Sequence, residues 1–243
     1  VSNAIPFLAD IPHFKADKIF TDFNDRSILA ESFRILATNI NYMIPKGKKN
    51  AGSVIYVTSG KMDEGKSLIA YNLSVAYASI NKRVLLVGAD LRSPEQHNYF
   101  KMGLSTKGLT DYLQHPESNW QDYVYPGFKE SKNHHICLSG SIPPNAPQLL
   151  SSGAFEDFIT QVKQFYDIIV VDTAPTMPVT DTLLIADYAD VTLFVARAGV
   201  TDKTVLQEAN ELNRRDKLKN MAFVLNDTQM GSKENYSYAY KDN

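Results

Sequence analysis

Apolar positions along the chain follow two periods. Leu29, Phe33, Leu36, Ile40 and Met43 recur every three or four residues, which lays a single stripe along a helix. Asp25 or Ser27 stands where the N-cap of that helix belongs, and Pro45 with Gly47 stops it. From residue 53 the pattern changes. Residues 53–58 form a β-branched run, the segment after Lys66 puts Ile69, Leu73, Ala76 and Ile80 on one helical face, and residues 84–87 are apolar throughout. Further apolar runs at 168–171, 191–195 and 222–225 follow, the last two separated by a helix around Val205, Ala209 and Leu212. Strands with no polar alternation are covered on both faces, so their alternation with helices predicts a parallel sheet between two helical layers. Ligands of such folds sit beyond the carboxyl ends of the strands. Residues 5–24, with Pro6, Pro12 and scattered charge, read as an extended lead-in.

Composition narrows this picture only a little. A chain of 243 residues makes one large domain, or one with an appendage. A net charge of −2 gives no field that would draw in nucleic acid or an anionic membrane. The single cysteine, Cys137, excludes an internal disulfide and suits a reducing cytosol. No apolar run approaches the ~18 residues of a membrane helix. The opening Val1-Ser2-Asn3-Ala4 resembles a cloning remnant, which points to an excised piece of a longer protein.

The chemistry lies at the strand ends. Gly60-Lys61-Met62-Asp63-Glu64-Gly65-Lys66-Ser67 fits the Walker A pattern in full, between a predicted strand and a predicted helix. Such a loop turns backbone N–H groups inward, and the following helix, beginning Ser67-Leu68, adds positive potential, so phosphates are held with few desolvated charges. Lys66 reaches the β- and γ-phosphates, and the Ser67 hydroxyl is a hard oxygen for Mg²⁺. Asp172 closes the 168–171 strand, the Walker B position. The fold class is therefore α/β, a P-loop NTPase three-layer sandwich with a mostly parallel central sheet. ATP or ADP and Mg²⁺ are the expected ligands.

The 84–87 strand runs into Gly88-Ala89-Asp90-Leu91-Arg92. This resembles a motif of the bacterial tyrosine kinases, Asp-x-Asp-x-Arg after the second strand, with Gly88 in place of the first acid. The resemblance covers most of the chain. Gly108-Leu109-Thr110-Asp111-Tyr112-Leu113, the proline-rich turn from Pro143 to Ser152, Val179-Thr180-Asp181 and Leu225-Asn226-Asp227 stand in the family's order. It implies that Asp90 is the remaining candidate base and a Mg²⁺ neighbour, and that Asn226 lies near the adenine. An acid restored at 88 should then raise the transfer rate. From the residues alone, a structural ion pair between Asp90 and Arg92 is the lesser alternative.

The resemblance extends to both ends. Glu31 and Arg34 match the first two charges of the family's Glu-x2-Arg-x2-Arg helix, which assembles rings, and Ala37 stands at the third position. Tyr236, Tyr238 and Tyr240 resemble its C-terminal phosphoacceptor cluster. Three regions follow: a lead-in at 1–24, a kinase domain at 25–230 with a subunit-contact helix at 27–44, and a tail at 231–243. The implied activity is ATP-dependent autophosphorylation in trans. The implied setting is the cytoplasmic face of the bacterial inner membrane, with a fused membrane-embedded co-polymerase segment and a cognate tyrosine phosphatase. A partitioning-type ATPase is one alternative, because Lys61 stands where those proteins place a lysine that crosses to the partner's phosphate. A nucleotide-binding assembly module that has lost transfer through Gly88 is another.

Overall fold

Eight strands and eight α-helices make up the computed structural model, which describes residues 4–14, 22–23, 25–45, 51–100, 102–103, 105–129 and 131–229. The strands are β1 (Phe7–Pro12), β2 (Ser53–Ser59), β3 (Val84–Gly88), β4 (Tyr125–Pro126), β5 (His134–Cys137), β6 (Ile168–Asp172), β7 (Val191–Arg197) and β8 (Met221–Thr228). The helices are α1 (Ile28–Met43), α2 (Lys66–Ser79), α3 (Gln96–Phe100), α4 (Leu109–Gln114), α5 (Ala146–Leu150), α6 (Ala154–Val162), α7 (Asp181–Leu184) and α8 (Lys203–Arg214). All strands join one sheet in the order β1-β8-β7-β2-β6-β3-β5-β4, parallel except for the β4–β5 pair. This is the predicted three-layer α/β sandwich.

The layers follow from side-chain alternation. Ile55 and Val57 of β2, with Leu86, Val170 and Leu193, pack under α1 and α2. Their neighbours Val54 and Tyr56, with Val87, Ile169 and Val171, face α4, α5 and α6. Phe194 meets Val205, Ala209 and Leu212 of α8. Because both faces are covered, the central strands are buried from end to end, which is why they read as unbroken apolar runs.

The α1 cap uses both candidates. Ser27 Oγ accepts from Ala30 N at 3.1 Å, while Asp25 Oδ1 accepts from Ser27 N at 2.7 Å. Ile80 does not extend the α2 face; it is the half-exposed C-cap. The lead-in is not a separate element. Residues 7–12 form β1, the parallel edge partner of β8, with Ala9 beside Val224 and Asp10 beside Leu225. Ile11 is fully buried in the α1/α2 layer. The tail expected at 231–243, with Tyr236, Tyr238 and Tyr240, lies outside the described residues.

If β1 is structural, Ile11→Ala should cost about 2–4 kcal/mol of unfolding free energy through its lost burial and cavity. Denaturant melts of wild type and variant measure this, and an unchanged midpoint would mean that β1 hangs on the sheet without supporting it.

Candidate active site

The strand order reverses around β2, and the ends of β2, β3 and β6 open onto one place. Cα register sets Val57 and Gly88 on either side of Asp172. The loop from Gly60 to Ser67 leaves β2 there. Gly65 caps α2 at φ +92°, a left-handed conformation that glycine alone adopts freely. A Cβ on Gly65 would come within 2.1 Å of Asn226 Nδ2, so the position is closed to side chains on steric grounds as well.

The loop is tied down by residues far away in sequence. Asn226 Nδ2 donates to Glu64 O at 3.1 Å, and Arg197 Nη1 donates to Asp63 O at 3.1 Å. The buried Glu64 carboxylate accepts from Lys61 N at 2.8 Å and from the Thr201 hydroxyl. Met62 faces solvent. Lys61 turns to Asp202 of its own chain, Nζ to Oδ2 2.7 Å, in a half-exposed pair. That arrangement gives no support to a lysine held ready for a partner's phosphate.

Lys66 is the central charge. It is 5 % exposed, and its ammonium lies 3.0 Å from Asp90 Oδ2, 4.0 Å from Asp172 Oδ1 and 3.3 Å from Ser67 Oγ. Burial alone would push its pKa down, but Asp172, Asp90 and Glu95 outweigh that and raise it, so it stays cationic. Burial pushes the Asp172 pKa up to about 6, helped by Asp90 and Glu95 and opposed by Lys66 and a hydrogen bond from Ser67. Asp90 Oδ1 accepts from Ser93 N at 3.0 Å and Arg92 N at 3.3 Å, which fixes the carboxylate over the loop.

A hard divalent cation suits this donor set. Asp90 Oδ2 and Asp172 Oδ1 are buried, with the Lys66 ammonium as their shared counter-ion, and the Ser67 hydroxyl lies 3.3 Å from that ammonium. Among the described residues no cluster of three or more His, Cys, Asp or Glu is present. Mg²⁺ needs no such cage, since it keeps waters and takes phosphate oxygens.

Several expectations change. Arg92 does not pair with the Asp90 side chain. It holds Asp181, Nε to Oδ2 2.7 Å and Nη2 to Oδ1 3.1 Å, and that carboxylate is buried. An acid at 88 has no room: a Cβ there would meet Ser139 Oγ at 2.6 Å and Ser139 N at 2.9 Å. Asn226 does line a cleft of about 210 Å³ with His13, Phe14, Leu68, Arg197 and Asp227. Its amide, however, is committed to the loop backbone. The cleft wall itself was missed, because its Pro12-His13-Phe14 side comes from the lead-in. His13 and Arg197 both hold the Asp227 carboxylate, which keeps its pKa below the usual range.

On α1, Arg34 lies 3.5 Å from Glu31 and also donates to Phe23 O at 3.0 Å. Ala37 is not on that surface. It is buried against α2, where its carbonyl accepts from Tyr77 Oη at 3.1 Å.

Residues 52–220 match the family described as AAA domain. The chain is 32% identical over 219 residues to tyrosine-protein kinase YwqD of Bacillus subtilis, covering 90% of each. It is 33% identical over 214 residues to tyrosine-protein kinase ptk of Acinetobacter johnsonii, spanning 86% of this chain but 28% of that one. Among solved structures, the chimerical protein CapA2B2 superposes with a TM-score of 0.82 at 30% identity, over 93% of this chain and 95% of that one. The cell division ATPase MinD of Pyrococcus furiosus reaches a TM-score of 0.57 at 23% identity, over 72% and 71% of the two chains. That second likeness is one of fold alone.

The raised Asp172 pKa has a stability consequence. An unfolded aspartate titrates near 4, whereas the folded one titrates at about 6. The folded chain therefore binds the proton more tightly, and ionising Asp172 costs stability as pH rises between those values. The melting temperature of Asp172→Asn minus that of wild type should become more positive by several degrees from about pH 4.5 to about pH 7. A difference that stays flat or falls would mean that Lys66 fully compensates the buried charge.

Proposed function

The chain belongs to the bacterial tyrosine-protein kinase family, and we propose that it transfers the γ-phosphoryl group of ATP, bound with Mg²⁺, to tyrosines of a neighbouring copy's C-terminal tail. The observation that carries this reading is the buried triad of Lys66, Asp90 and Asp172 at the mouth of the phosphate loop. Bound Mg²⁺ would neutralise charge on the phosphate oxygens, with Ser67, Asp172 and Asp90 as its protein neighbours.

The remaining roles belong to the chain itself. Loop N–H groups from Gly60 to Ser67 hold the phosphates, and the adenine side falls to the cleft between Leu68, Asn226 and the His13–Asp227–Arg197 group. Lys66, already cationic, follows the charge that develops on the transferred group. Asp90 accepts the phenol proton on Oδ2, the oxygen that faces the Lys66 ammonium, since Oδ1 is held by the Ser93 and Arg92 backbone N–H groups. Phosphoryl transfer gains most of its acceleration from positioning and charge neutralisation, so a single acid here is adequate.

The acceptors we assign are Tyr236, Tyr238 and Tyr240. In support, β8 ends at Thr228, and Gln229 lines a second pocket that shares His13 and Asp227 with the cleft, so the chain leaves the sheet next to the site. Buried Tyr56 and Tyr71 are poor competitors, whereas Tyr42 is 80 % exposed. Glu31 and Arg34 would contribute to contacts between copies in a homo-oligomer. Family membership further suggests control of capsule or exopolysaccharide chain length or export. That work would take place at the cytoplasmic face of the inner membrane, alongside a membrane-embedded co-polymerase segment and a phosphatase that resets the tail. Among the described residues no helix is long and apolar enough to cross a membrane.

Incubation with ATP·Mg²⁺ should label tyrosine, and mass spectrometry should find phosphate on residues 236–240. Deleting 236–243 should remove most of the label while leaving ADP affinity unchanged; phosphate retained mainly on Tyr42 would defeat the acceptor assignment. Lys66→Met should abolish labelling and weaken ADP·Mg²⁺ binding at least tenfold. Because it leaves two buried carboxylates unpaired, its folding has to be confirmed separately by thermal melt. Retained affinity and labelling in a folded variant would refute the phosphate-loop assignment.

A further inference from the structure

Gln96 is the first residue of α3 and is 1 % exposed, yet it sits among the charges of the site. Its Nε2 donates to Asp172 Oδ2 at 3.3 Å. Its Oε1 is buried and accepts from no group. That oxygen lies 3.2 Å from where a Cβ on Gly88 would stand. A glutamine fully removed from water normally satisfies both ends of its amide. Here one end is spent on a carboxylate and the other is left open, in a site whose two carboxylates share the Lys66 ammonium as counter-ion.

The crowding at Gly88 explains the placement. Ser139, just past β5, closes in on the end of β3 and bars a side chain at 88. Gln96 reaches the same space from the loop that follows β3. Resting on the nucleotide-binding reading above, we propose that Gln96 is part of the Mg²⁺ site: Nε2 holds the Asp172 carboxylate in place, and Oε1 presents a neutral oxygen to the cation or its bound water. It does from position 96 what a carboxylate at 88 has no room to do.

The exchange has an electrostatic logic. The two buried carboxylates outnumber the one ammonium, and Glu95 adds to the negative field on both Lys66 and Asp172. A further carboxylate beside the buried pair would be strongly repelled. An amide oxygen remains a hard ligand for Mg²⁺ without that repulsion, at the expense of a weaker pull on the cation.

The test is Mg²⁺ titration of a fluorescent ADP analogue bound to the full chain, repeated in EDTA, for wild type, Gln96→Met and Gln96→Glu. Methionine keeps the length of the side chain but loses both polar atoms. Glutamate keeps the oxygen at the same reach and adds charge. Loss of a metal-supporting partner typically costs 10–100-fold in metal affinity. Gln96→Met should therefore raise the Mg²⁺ half-saturation about tenfold or more, with ADP affinity in EDTA within twofold of wild type. Gln96→Glu should need no more Mg²⁺ than wild type. If Gln96→Met does not melt cooperatively, Gln96→Asn, which withdraws the oxygen by one methylene, should show the same loss. Mg²⁺ dependence unchanged by Met or Asn, or impaired as badly by Glu, overturns the proposal. Loss of ADP affinity in EDTA and of Mg²⁺ response in parallel would mark Gln96 as merely structural and also overturns it. Wild-type ADP binding that ignores Mg²⁺ altogether would instead defeat the Mg²⁺ part of the underlying reading, and no ADP binding at all its nucleotide part, either taking this proposal with it.

Discussion

Everything at this site depends on keeping the Lys66 ammonium and the Asp90 and Asp172 carboxylates out of water together. Each charge alone would be costly to bury, and the two carboxylates are tolerable only because the Lys66 ammonium sits within 4.0 Å of both. That demand fixes the architecture around them. The carboxylates must come from adjacent parallel strand ends, the ammonium from a helix starting immediately after a tight loop, and the loop must not move. The loop is accordingly tied from β7 and β8 by Arg197 and Asn226.

The same demand explains the Arg92–Asp181 pair. The chain after β3 and the chain after β6 both carry site residues, Arg92 in the loop after β3 and Asp181 at the start of α7. A two-point contact between a half-exposed guanidinium and a buried carboxylate joins the two loops at fixed distance. The contribution is geometric as much as energetic, because it sets where Asp90 stands relative to Asp172.

Much of this was legible from the chain. Central strands are buried on both faces, so β2, β3, β6, β7 and β8 announced themselves as apolar runs, and the phosphate loop carried its full spacing. The parts that were not legible share a physical cause. β1 is an edge strand bounded by prolines, and an edge needs only one partner, so its composition is relaxed. β5 begins His134-His135, and His134 is fully buried because Ser74 Oγ and the Phe128 N–H satisfy its ring. No local pattern reveals partners 60 residues away. Gln96 stood four residues beyond a recognised motif, and only the closed space at Gly88 gives it meaning. The alternative of an Asp90–Arg92 ion pair falls away for a related reason: adjacency in a motif says that two residues are near, not that they face each other.

The parallel pairing of β1 with β8 makes the nucleotide cleft a mechanical joint. Pro12 at the end of β1 with His13 and Phe14 just beyond it, and Asn226 with Asp227 on β8, form facing jaws. Sliding β1 by one register step, about 3.3 Å, would carry His13 off Asp227 and shift one jaw past the other. Tension transmitted through the segment ahead of Phe7 would act along β1 and load its hydrogen bonds in shear, with the base-side wall of the cleft as the first part to yield. The strand that prolines disguised as a linker is, in this geometry, a lever.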